Sequence, residues 1–316
     1  MGTCIESVVT TSSSSSIFRR GSLHLAEAAA RACLERAARR PDELDLLVNT
    51  GVYKEKNMAE PALAAIIQED IHANPGHPPR HGHHGTFSFD VSNGGCGCLT
   101  ATHLADSFLR DGRIRLAMVV TADADPSPRS SRGFPFRPVA GALLLAHTSE
   151  PVGFVGHEFR TFPEFADLFV SRLDWDPAYH RMLGGHGGNV VEVREDPSFA
   201  ARGIECAVNV AQSFLATAGL RPADIHLLVA SQYPADFANS VAQALGVGSD
   251  LVAHARPQCR MAHTAGPMAA LEAAAAARTF DEATNVLFVT LGAGITIAVA
   301  LYRKRGRSPL CLSTSA

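Results

Sequence analysis

The strongest constraint on this chain is that its second half repeats the order of elements in its first. The segment LAEAAARACLERAARRPDELDLLVNTG starts at Leu25, and ARGIECAVNVAQSFLATAGLRPADIHLLVASQ starts at Ala201. Each reads as an amphipathic helix, a Pro-containing turn and a short apolar strand. Pro41 answers Pro222, and Leu46-Leu47-Val48 answers Leu227-Leu228-Val229, an offset of 181 residues. A second Ala-rich helical stretch follows each strand, around Pro61–Gln68 and Ala238–Leu245. Each half then reaches a Gly-rich motif, a long helix and another buried strand, Leu116–Thr121 or Val286–Thr290. Helices alternating with near-continuous apolar strands predict an α/β fold whose sheets are covered on both faces. The implied halves are residues 1–155 and 156–316. Between about Asp123 and Glu192 the pattern lapses. Pro126, Pro128, Pro135, Pro138, the GGHGG run at Gly184 and the single Trp175 read there as insertions and loops, where substrate-shaping residues usually sit.

Composition removes several function classes. The net charge of −3, from 28 basic and 31 acidic residues, gives no global field for nucleic acid or an anionic membrane. No window offers roughly 18 uninterrupted apolar residues, the length of a membrane span. The Ala-rich run after Met268 comes closest but carries Glu272 and Arg278. No basic region followed by an apolar core opens the chain. Seven cysteines are odd in number and too sparse for a disulfide scaffold. A soluble, cytoplasmic globular protein is expected.

The most informative local motif is FSFDVSNGGCGCLTATHLADSFLRDG, Phe87 to Gly112. FSFDV reads as a strand, NGGCG as a Gly-rich turn, and LTATHLADSFL as a helix stopped by Gly112. A cysteine on such a turn lies at the positive end of a helix dipole, which favours the thiolate. Cys96 is thus a candidate nucleophile, and glycines beside it let an acyl carrier approach the backbone. The competing reading is a buried structural cysteine, which is the reading for Cys98, already inside the helix and followed by Leu99.

This motif resembles the nucleophile loop of the β-ketoacyl-ACP synthase III group of the thiolase superfamily. VAGALLLAH from Val139 resembles the Gly-Ala segment that ends the group's first half, and LGAGITIAVALYR from Leu291 its closing Gly-rich strand pair. RMAHTAGPMAALEAA from Arg260 resembles the loop and helix that present a catalytic asparagine. The resemblance implies a five-layered αβαβα thiolase fold made of two duplicated halves. It implies a Cys-His-Asn arrangement, in which cysteine takes the acyl group while His and Asn stabilise the enolate formed as malonyl thioester loses carbon dioxide. This chain departs from that pattern. An ungapped alignment through Asp90, Ala101 and Ala105 puts Gly95 at the nucleophile position and Cys96 one residue late. A rearranged turn carrying Cys96 into the site and an empty site are both open. Ser231 stands where the histidine is expected, followed by a matching Gln232, and His263 occupies the asparagine position before Thr264. The N-terminal Trp and Arg that sandwich the CoA adenine have no counterpart.

These residues imply an acyltransferase moving an acyl group from a CoA or acyl carrier protein thioester, through Cys96, to an acceptor small molecule in polyketide- or fatty-acid-type metabolism. His263 is the expected general base, Ser231 orients it or the acceptor, and Gly292 and Gly294 supply oxyanion N–H groups. Gly95, Gln232 and Thr264 are expected to line the substrate. The alternatives are a decarboxylative condensing enzyme and a catalytically silent subunit of an active ketosynthase. A homodimer is expected, a heterodimer with a ketosynthase being the variant, with no cofactor and no metal. His77, His81, His83 and His84 invite a metal reading, but their Gly/Pro loop has no fixed face and offers no acidic or Cys partner. Arg129, Arg132 and Arg137 form a basic cluster open to a phosphopantetheine, an acidic carrier protein or solvent.

Overall fold

The protein, a computed structural model, is described for residues 2–13, 21–54, 57–58, 60–74, 85–127, 131–177 and 188–304. The first half contains strands β1 (Gly2–Ser12), β2 (Leu46–Asn49), β3 (Phe87–Asp90), β4 (Leu116–Asp123) and β5 (Val139–Thr148), with helices α1 (Ser22–Arg36), α2 (Leu63–Asp70) and α3 (Gly97–Arg110). The rest contains β6 (Gly153–Thr161), β7 (Phe169–Asp176), β8 (Gly188–Glu195), α4 (Phe199–Thr217), β9 (Leu227–Ala230), α5 (Phe237–Leu245), α6 (Gly266–Ala276), α7 (Thr279–Glu282), β10 (Asn285–Gly292) and β11 (Thr296–Arg303).

The duplication is visible in the sheets. One runs β1-β5-β4-β2-β3 and the other β6-β11-β10-β9. In each, the first three strands pair antiparallel and the next pairing is parallel: β4 with β2, and β10 with β9. Alternate residues of the central strands serve opposite faces. Ala117 and Val119 of β4 face a shared core with Val286 and Phe288 of β10, filled by α3 and α6. Leu116, Met118 and Val120 face α1 and α2. Leu287 and Val289 face α4 and α5. The layers are therefore helix, sheet, helix, sheet, helix. Helix α6, GPMAALEAAAA, is apolar almost all round because it is buried between two sheets. Its alanines keep those sheets close.

The stretch between Asp123 and Glu192 differs from the loop-rich expectation. It holds β5 and β6, which complete the two main sheets, and the antiparallel β7–β8 hairpin. The prolines at 135 and 138 lie just before β5 and interrupt no ladder, so they disguised the strand without preventing it. The His77–His84 cluster and Arg129 lie outside the described residues. Among the described residues no helix is long and apolar enough to cross a membrane.

A buried carboxylate of the central layer ties several elements together. Glu272 of α6, 5% exposed at its side chain, accepts hydrogen bonds from Arg36 at 3.0 Å and Arg256 at 2.7 Å. It also accepts from the Thr10 backbone N–H at 3.1 Å and from the Thr10 hydroxyl. The carboxylate joins β1 and α1 to α6 and the loop before it. Glu272→Ala strands the Thr10 N–H and leaves two guanidinium groups to find water, so it is expected to cost about 2–3 kcal/mol. A lower urea midpoint with unchanged slope is the expected measurement.

Candidate active site

The carboxyl ends of β4 and β9 and the loop before α6 converge where the two halves meet. Asp123 is the last residue of β4 and is 1% exposed. One carboxylate oxygen accepts from the backbone N–H groups of Val52 at 2.8 Å and Tyr53 at 2.7 Å. The other accepts from the Thr264 N–H at 3.1 Å and from the Thr264 hydroxyl, and lies 3.1 Å from His263 Nδ1. Burial alone would raise its pKa, but the His263 ring and these donors override it and hold the carboxyl below its ordinary value. Gly51 permits the arrangement: a Cβ there would lie 2.4 Å from the Ala122 carbonyl oxygen, so only glycine lets the loop after β2 come this close.

With Nδ1 on the carboxylate, His263 carries its proton there and leaves Nε2 with a lone pair; this tautomer is assigned from the hydrogen bond. The ring stacks on Phe136 at 4.3 Å and lies 5.4 Å from Tyr53. It faces a pocket lined by Phe136, Phe169, Phe199, Ser231, Tyr233, Leu291 and Ala293. Apolar walls around a buried Asp–His pair make a site suited to proton transfer in a water-poor environment.

The structure places the other predicted residues less uniformly. Ser231 lines the pocket with His263, and its hydroxyl oxygen accepts from the Leu291 N–H at 3.0 Å. Gln232 does not reach the substrate space. Its amide spans the Ala230 carbonyl and the Ala255 N–H, both at 3.0 Å, and so braces the end of β9. Thr264 is fully buried on Asp123 and Thr121, which makes it a support for the carboxylate and not a substrate contact. Of the Gly292–Gly294 turn, only Ala293 borders the pocket. A Cβ on Gly292 would lie 3.4 Å from Cys96 Sγ, so that glycine covers the cysteine.

Cys96 is the main correction. It immediately precedes α3, as expected, but is 0% exposed. Its thiol lies against the carbonyl oxygens of Thr296 at 3.2 Å and Thr290 at 3.6 Å, between β10 and β11. Burial pushes the thiol up to about 12, against the pull of its hydrogen bonds. The thiolate expected from the helix dipole is therefore not what this environment favours. Gly95, expected at the substrate, is no better placed for a nucleophile: a Cβ there would sit 2.2 Å from the Leu291 carbonyl oxygen. Cys98 is buried and likewise pushed up to about 12.

Asp123, Tyr53, Phe136 and Tyr233 were not singled out from sequence. One available signal was an aspartate closing an apolar strand, since ligands in α/β sheets gather at the carboxyl ends of strands. Among the described residues no group of three or more His, Cys, Asp or Glu is arranged to hold a metal ion.

A labelling experiment tests the placement of the thiol. In native protein at pH 7–9, Cys96 is expected to resist iodoacetamide, because a buried thiol near 12 stays protonated there. Peptide mapping should show it alkylated only after unfolding, and rapid native labelling would contradict the burial.

Residues 215–304 match the profile of the 3-oxoacyl-[acyl-carrier-protein (ACP)] synthase III C-terminal family. The β-ketoacyl-[acyl-carrier-protein] synthase III of Aquifex aeolicus (strain VF5) is 22% identical over 287 residues, covering 89% of this chain and 83% of that protein. The solved 3-oxoacyl-[acyl-carrier-protein] synthase III of A. aeolicus VF5 superposes with a TM-score of 0.77 at 18% identity, covering 96% of this chain and 100% of that one. The priming β-ketosynthase of the R1128 polyketide pathway gives 0.77 at 18%, covering 97% of each chain. Together with the paired sheets and the helices between them, these likenesses give the chain the thiolase fold and a sequence similar to β-ketoacyl-ACP synthase III proteins.

Proposed function

We propose that this protein is an acyltransferase that passes an acyl group directly from a CoA or carrier-protein thioester to a hydroxyl, amine or thiol acceptor, with His263 as general base and without a Cys96 acyl-enzyme. The observation that carries this reading is the Asp123–His263 pair at this pocket, beside a Cys96 thiol that is fully buried and a Leu291 carbonyl that leaves no room for a side chain at position 95. His263 Nε2 takes the acceptor proton while the acceptor heteroatom bonds to the thioester carbonyl carbon. The C–S bond then breaks, and the proton passes to the departing thiolate. Asp123 holds the imidazole in the required tautomer and stabilises its charged form. Ser231 orients the acceptor, and the backbone around Ala293 borders the place where the oxyanion develops. Condensation with loss of carbon dioxide fits less well. The resemblance implies a His plus Asn clamp for that step, and losing one oxyanion donor typically costs about 10²–10³-fold.

Incubation with acyl-CoA and acyl-carrier donors and a panel of heteroatom acceptors tests the reading. Transfer should proceed with no acyl adduct on Cys96, and Cys96→Ala should retain turnover. His263→Ala should lower turnover by roughly 10²–10⁴-fold in folded protein, the usual contribution of positioned proton transfer. Asp123→Asn should lower kcat in the same direction through the wrong tautomer. An adduct mapped to Cys96, or carbon dioxide release matched by β-ketoacyl product, would return the chain to the family's condensing chemistry. Absence of turnover with every donor favours a silent subunit.

The chain is further proposed to form a homodimer through β3, the edge of the first sheet. Its outer row of backbone groups lies beside Phe87, which is 63% exposed. Light scattering should report a dimer, and Phe87→Lys should shift it toward monomer. A wild-type monomer at micromolar concentration would refute the edge pairing.

A further inference from the structure

The pocket in front of His263 is closed. Its walls leave a cavity of about 10 Å³, room for at most one water molecule and far too little for an acyl thioester. Part of the wall therefore has to move before any substrate meets the imidazole, and burial singles out which part. Phe136, Phe169, Phe199, Ser231 and Leu291 are buried in the packed layers, where a side chain turns only by displacing its neighbours. His263 is held on Asp123 at 3.1 Å. Ala293 is exposed but carries only a methyl group, on a turn fixed by the pairing of Gly292 with Thr296. Tyr233 is left. Its ring is half-buried, edge-on to Phe136 with centroids 4.9 Å apart and 6.4 Å from Phe169. Its hydroxyl points to the surface and donates to the carboxylate of exposed Glu195. Glu195 ends β8 and stands opposite Phe169 in the β7–β8 hairpin, so one hairpin carries both this acceptor and a wall of the pocket.

We propose that Tyr233 is the gate of this pocket and Glu195 its latch, so that substrate reaches His263 when the phenol leaves the carboxylate and the ring swings outward. The inference rests on the acyl-transfer reading for what enters, and adds how entry to the same site is controlled. A tyrosine suits this task because its two ends want different surroundings, an apolar ring on aromatic walls and a hydroxyl on a polar partner. In the closed state both are met. Burial and the Glu195 carboxylate hold the phenol above its ordinary range, so it stays a donor at neutral pH. Opening forfeits the edge-on ring contacts and the hydrogen bond, and it lets water reach the imidazole. An acyl chain entering between Phe136 and Phe169 replaces the lost apolar contact, so the substrate itself favours the open state. The empty pocket stays shut and dry.

Diethyl pyrocarbonate, which modifies neutral imidazole, reads the gate without requiring turnover. In the wild-type protein His263 should react much more slowly than the exposed His254, with both sites quantified by peptide mapping. Tyr233→Phe keeps the ring and removes the hydroxyl, and Glu195→Ala removes the acceptor. Each should raise the ratio of His263 to His254 labelling by roughly 3- to 10-fold, the range for one lost hydrogen bond. The double variant should label no faster than either single variant, because both break the same bond. Circular dichroism matching the wild type establishes that the variants fold. Glu195→Ala, at an exposed strand end, keeps the test available if a Tyr233 variant does not. Fast labelling of His263 in the wild type, an unchanged ratio in the folded single variants, or effects that add in the double variant overturns the latch. The expected ratios without acyl transfer to any acceptor keep the gate and remove the catalytic reading. Acyl transfer with unchanged ratios does the reverse.

Discussion

Asp123 is the residue on which the site depends. A carboxylate removed from water is costly unless its oxygens are fully hydrogen-bonded. Here the donors come from the loop after β2 and from the turn before α6, which belong to different halves of the duplicated fold. Satisfying the carboxylate therefore requires those segments to meet, and their meeting brings His263 beside Tyr53 and Phe136. Its depressed pKa has a defined sign. The stabilisation it contributes is present above the ordinary carboxylate range and is lost as pH falls through the lower folded value.

The fate of Cys96 is a contest of magnitudes. A helix N-terminus favours an anion by roughly 0.3–1 kcal/mol, and up to about 2 when partly buried. A thiol held near 12 disfavours its thiolate, relative to an ordinary cysteine at 9.0, by roughly 4 kcal/mol. Burial wins. The turn at Gly94–Cys96 has been pressed against the end of β10 until the Leu291 carbonyl fills the space a side chain at 95 would need. What remains at the pocket is His263 on the opposite loop, paired with the Asp123 carboxylate.

Duplication explains why a site can be rebuilt this way. Each half supplies a strand end and a loop-to-helix turn around a shared central layer, so residues from several independent segments face one space. Ser231 from one segment and His263 from another both border the pocket, so either segment can present a side chain to the same space. The inserted β7–β8 hairpin and the segment before β5 add its aromatic walls, Phe169 and Phe136.

Much of the architecture was legible in the chain itself. The 181-residue offset, the period of the helices and the continuous apolar strands determined a two-fold repeated α/β fold, because buried parallel strands and their covering helices leave local patterns. The motifs at Cys96 and His263 marked two loops, of which the His263 loop borders the pocket. Sequence could not decide which side chain in each loop faced the pocket, since one residue's shift between Gly95 and Cys96 depends on where the Leu291 carbonyl lies. Nor could it pair Asp123 with His263, 140 residues apart. β5 and β6 were hidden for a related reason: their order comes from pairing with strands distant in sequence, while nearby prolines and glycines signal turns. Local periodicity determined the main helices, the buried parallel strands and their order. Long-range packing alone decided that Cys96 is buried, that Asp123 pairs with His263 and that His263 meets the pocket, because burial and hydrogen-bond partners are properties of the assembled layers.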